Sequence, residues 1–137
     1  MKINDVTEWI QIADEDFYSA QILNESARKP YEIICYHCAQ AAEKYLKGYL
    51  AYNDIVPQKT HNLLFLHELC VKKENSFETI RTECSFLNRY TVEIRYPHRI
   101  EVKKEDVTYS LNAVERIKNY KEIKKISDII NNQKTSL

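Results

Sequence analysis

Apolar residues recur every three or four positions through most of this chain, the period of helices that each bury one face. Val6, Trp9, Ile10, Ala13, Phe17 and Ala20 mark the first such face. Its helix is predicted to open on Asp5 as N-cap, with Glu8 at the third helical position, and to end near Ser26. Pro30 suits the first position of a second helix, on which Tyr31, Ile34, Cys35, Cys38, Ala42, Tyr45, Leu46 and Tyr49 trace one stripe to about Tyr52. The period breaks from Asn53 to Lys59, and Thr60 is placed to cap a short third helix carrying Leu63, Leu66, Leu69 and Cys70. Ser76 is placed to cap a fourth, with Phe77, Ile80, Cys84, Leu87, Thr91 and Ile94 in step, stopping at Arg95 or Tyr96 because Pro97 disfavours helix before it. A charged loop, His98 to Lys104, leads into a fifth helix along Val107, Leu111, Val114 and Ile117, with Glu105 and Asp106 near its positive end. Residues 131–137 are expected to fray. Long helices on short loops imply an all-α, up-and-down bundle of four to five helices, a single domain over 1–137.

Composition narrows the chemistry. One glycine, Gly48, cannot build either glycine-rich phosphate loop, and neither GxxxxGK[ST] nor GxGxxG occurs. Twenty basic and twenty acidic side chains cancel, so an anion site must be local rather than a whole-molecule field. No apolar stretch approaches the roughly 20 residues of a membrane span, and the first residues lack a signal-peptide core, which makes a cytoplasmic location the expectation. Cys35 and Cys38 have CxxC spacing but lie inside a helical apolar pattern without a second ligand pair. With Cys70 and Cys84 they are expected to pack, leaving no metal and no cofactor.

Three segments carry more polar detail than a bundle requires. On the second helix, His37, Ala41, Lys44 and Gly48 share a narrow face that suits a close neighbouring helix, or an anion held by Lys44 and Lys47. Lys59, Thr60 and His61 stand at the start of the third helix, where free N–H groups favour phosphate; a plain capped helix would look the same. Arg95, His98 and Arg99 cluster beside Tyr96, a ring able to stack on a base. There an imidazole can move a proton of a ribose hydroxyl while a guanidinium stabilises phosphorane charge, or the same residues simply cap and solvate a helix end.

Three runs in order, Cys35-Tyr36-His37-Cys38-Ala39-Gln40-Ala41-Ala42-Glu43-Lys44-Tyr45-Leu46-Lys47, Pro57-Gln58-Lys59-Thr60-His61-Asn62-Leu63 and Arg95-Tyr96-Pro97, resemble the prokaryotic HEPN family over nearly the whole chain. The resemblance implies a helical bundle, commonly homodimeric and often paired with a minimal nucleotidyltransferase as a toxin–antitoxin-like module. Many HEPN proteins are metal-independent endoribonuclease toxins whose motif is an arginine followed four to six residues later by a histidine, supplied by both subunits. Here only Tyr96 and Pro97 separate Arg95 from His98, a departure from that motif. The Arg-Tyr-Pro members, regarded as nucleotide-binding or as noncatalytic partners, are the nearer match. Carried over residue by residue, the ligand contacts are Lys44, Lys47, His61, Arg95 and Tyr96, so that nucleotide or RNA phosphate is the implied ligand. An endoribonuclease would use Arg95 and His98 instead, and a purely structural dimerisation bundle would use none of them.

Overall fold

The structure, a computed structural model, describes residues 2–91 and 101–135. Six α-helices and two short 3₁₀ segments occupy the described residues, with no strand among them. Helix α1 (Ile3–Glu25) starts ahead of Asp5: Lys2 is its N-cap, without a side-chain cap bond, and Asp5 lies in the first turn, where its charge meets the positive end of the helix. Helix α2 (Tyr31–Tyr52) follows Pro30, which stands at the N-cap rather than inside the first turn. The two helices run antiparallel: Ile10 meets Gly48, Asp14 receives the hydroxyl hydrogen bond of Tyr45, and Asp16 pairs with His37 at 3.1 Å.

Gly48 explains how closely they approach. A Cβ there would stand 2.7 Å from Ile10 Cδ1, so bare backbone admits the isoleucine. Of the two readings of the small-residue face, the neighbouring-helix one therefore describes Ala41 and Gly48, both buried. Helix α2 is the hub. It packs against α1 and α3 (Leu63–Lys73), and against α5 (Lys104–Asn119) and α6 (Lys121–Thr135), while α4 (Arg81–Leu87) closes on α3 and α5. Phe77 fills the junction, its ring centroid 4.5 Å from that of Tyr49 and 4.8 Å from that of Tyr120.

Further local expectations are corrected. Asn62, not Thr60, caps α3: its Oδ1 accepts from the amides of Leu64 and Phe65, while the Thr60 hydroxyl accepts from the amide of Asn62. From Asn75 to Tyr90 the single fourth helix is instead a 3₁₀ segment (Asn75–Ile80), then α4, then a second 3₁₀ segment (Asn88–Tyr90); its expected end at Arg95 or Tyr96 lies outside the described residues. Phe77 and Ile80 are buried as expected, but a spacing of three suits a 3₁₀ turn as well as an α turn. Nor does Ser76 cap: the Glu74 carboxylate accepts its amide, and its hydroxyl pairs with that of Tyr120. The fifth helix divides at Tyr120, whose extended backbone (φ −61°, ψ 134°) separates α5 from α6 and gives six helices rather than five. Helix α6 then runs to Thr135, so helical backbone continues into the expected tail.

No helix among the described residues is long and apolar enough to cross a membrane.

Candidate functional site

Gln40, Glu43, Lys44 and Lys47 occupy neighbouring positions on α2, each a helical turn or less from the next. The chain leaving α2 is turned back towards them at Asp54, a non-glycine residue in the left-handed region (φ 61°). There the Ile55 amide reaches back to the Leu50 carbonyl at 2.9 Å, as in a Schellman ending. The returning loop lays His61 on Glu43.

The result is a carboxylate with three basic neighbours. Glu43 is 1% exposed; His61 Nδ1 lies 2.8 Å from Oε1, and Lys47 and Lys44 Nζ lie 3.0 and 3.2 Å from Oε2. Burial pushes the Glu43 carboxyl up, but the hydrogen bond from His61 and the charges and bonds of Lys44 and Lys47 outweigh it, and the net direction is down. An ionised carboxylate only accepts, so Nδ1 carries the proton of the His61–Glu43 bond and Nε2 is left pointing away from it. His61 is 63% exposed.

The two lysines are not equivalent. Lys47 is 7% exposed and wedged between Glu43 and the indole of Trp9, its ammonium 5.4 Å from the ring centroid. Lys44 also donates to Gln40 Oε1 at 2.8 Å, and the Gln40 side-chain amide donates in turn to the Thr91 carbonyl at 3.3 Å. With Glu43 ionised the cluster carries one net positive charge, and two when His61 is protonated.

Lys44, Lys47 and His61 are thus brought together around an acid, Glu43, to which the sequence alone assigned no role. Its position four residues before Lys47, within an otherwise apolar stripe, was the available signal. Arg95, Tyr96 and His98 lie outside the described residues; the segment that bears them follows Thr91, whose carbonyl the cluster holds. At the N-terminus of α3 the backbone amides are engaged by side chains, which leaves His61 as the group of that segment that meets the cluster. The amide of Leu63 donates to Asn88 Oδ1 at 2.8 Å, and those of Leu64 and Phe65 to Asn62 Oδ1 at 3.0 and 3.1 Å. His67, fully buried on α3, also escaped notice; its Nε2–H donates to the Phe77 carbonyl at 2.8 Å and ties α3 to the 3₁₀ segment after it.

All four cysteines are free and buried. Burial pushes the Cys35 thiol up to about 11 and the Cys84 thiol to about 12, away from the thiolate that metal binding or redox chemistry needs. Among the described residues no group of three or more histidine, cysteine, aspartate or glutamate side chains is arranged to hold a metal ion.

No curated protein matches the chain significantly. Its fold is similar to the crystal structure of an archaeal HEPN homologue, with a TM-score of 0.67 and 23% identity over 91% of this chain and 97% of that one. The HEPN domain family model matches residues 6–125, which takes in the α1–α2 hairpin, the Glu43 cluster and the helices that enclose it; the chain belongs to the HEPN family.

Proposed function

We propose that this HEPN protein binds the phosphate of a nucleotide or RNA at the Glu43 cluster, as a homodimer working with a minimal nucleotidyltransferase in a toxin–antitoxin-like module. The observation that carries the reading is the convergence of Lys44, Lys47 and His61 on one buried carboxylate. Glu43 balances Lys47 in the interior and fixes the imidazole of His61, so the ligand-facing groups are the outward Nε2 of His61 and the partly exposed ammonium of Lys44. With both ring nitrogens protonated, Nε2 donates to a phosphate oxygen while Lys44 supplies fixed charge. Arg95 and Tyr96 would add a guanidinium and a stacking ring from the segment after Thr91.

Calorimetric titration with AMP and with a short single-stranded RNA tests this. Removal of one charge-assisted bond by Lys44→Ala, His61→Ala or Arg95→Ala is expected to weaken binding roughly tenfold or more. Undiminished affinity in all three variants would refute the site. RNA cleavage in chelator that disappears in both Arg95→Ala and His98→Ala would replace it with the endoribonuclease reading.

A further inference from the structure

Trp9 is the only tryptophan of the chain and borders two adjoining grooves. One, about 300 Å³, lies between Asp5, Ala51, Asp54 and the loop at Val56 and Pro57. The other, about 350 Å³, shares Trp9, Val56 and Pro57 and is bounded by Glu8 and Ile12. Val56 is 84% exposed, a large apolar side chain held in water beside an indole. The charge around these walls is one-sided: Asp5, Glu8 and Asp54 against Lys2.

The chain already shows what this combination accepts. Lys47 sits 5.4 Å from the ring centroid with its ammonium 3.0 Å from the Glu43 carboxylate, a cation shared by an indole and an acid. The grooves set the same indole beside acidic side chains, Asp5 and Glu8 among them, and beside exposed aliphatic surface.

We propose that the Trp9 grooves dock a basic side chain, arginine foremost, of a partner polypeptide that also sets an apolar residue against Val56. Arginine fits better than lysine because a planar guanidinium stacks on an indole and bonds a carboxylate through two parallel N–H groups. A phosphate-bearing ligand would face the acids. Two copies meeting through this face about a two-fold axis would set the acids of one against those of the other. The inference stands apart from the phosphate reading, since it uses Trp9 and the acids around it rather than His61 and Lys44.

Trp9 makes the test direct, because all indole fluorescence of the full chain comes from it. The probe is a capped arginine–leucine dipeptide, with the capped glutamate–leucine dipeptide and AMP as comparisons and amide NMR of residues 54–56 as a second readout. The expected result is a saturable change with the arginine peptide alone, weakening with salt and falling several-fold or more in Asp5→Asn/Asp54→Asn and in Val56→Ser, with circular dichroism unchanged. An equal response to the glutamate peptide, displacement by AMP, or no saturable change in either readout up to the solubility limit would overturn the proposal. So would Trp9 fluorescence that tracks protein concentration together with a sedimenting dimer abolished by Val56→Ser, which would assign the face to a second copy.

Discussion

The carboxylate of Glu43 gathers three basic side chains and the guanidinium of Arg81 two acidic ones, in opposite surroundings. Arg81 lies 3.4 Å from Glu68 and 3.5 Å from Glu78 with its side chain 49% exposed, so water and salt compete for every one of these charges. Glu43 and Lys47 are nearly dry, and neither can be rehydrated if the other leaves. The lesson is an asymmetry. A surface cluster contributes little when present and costs little when broken, whereas a buried cluster is nearly neutral in balance but severe when one member is lost.

The largest effect that would sharpen this contrast is Glu43→Gln, which keeps the side-chain shape but strands the Lys47 ammonium; we expect a loss of about 3–5 kcal/mol in urea unfolding. A loss below about 1 kcal/mol would erase the distinction between the two clusters. Acid should reproduce the substitution. The Glu43 carboxyl is held below its usual range, so the stability it contributes is present above its unfolded-state pKa and disappears as pH falls through the lower folded-state value. The gap between wild type and Glu43→Gln should therefore hold at neutral pH and close in the acid range, and paired thermal melts across pH would show it; a gap constant to the most acidic point would contradict the assignment.

Asn62→Ala should cost about 1 kcal/mol through the loss of the cap on α3. Thr60→Ala should be nearly silent, because the Thr60 hydroxyl receives only an exposed turn amide. At the small end, Arg81→Ala should cost less than about 0.5 kcal/mol and become undetectable in high salt. A larger value would mean that the exposed cluster is not the contrast it is taken to be.

The buried faces were legible in the sequence because helical periodicity reports them directly: nearly every stripe residue named from spacing on α1 and α2 is in the core. The breaks were not. Tyr120 interrupts a run that reads as one helix because its ring lies against Phe77 and its hydroxyl meets Ser76, contacts 43 or more residues away in the chain that no local rule contains. The site was legible in part for the same reason. Lys44, Lys47 and His61 stood out by type, but their common partner emerges only once Asp54 turns the chain and lays His61 over a carboxylate 18 residues earlier. The first amide of α3 is met by Asn88, 25 residues further on, a partner that no local rule contains.

The four buried thiols have a practical consequence. A sulfur that is shut inside and disinclined to ionise reacts with an alkylating reagent only when the surrounding helices part. Cys35 and Cys38 sit on α2, Cys70 on α3 and Cys84 on α4, so the order in which they become labelled would time the opening of each helix without any introduced probe.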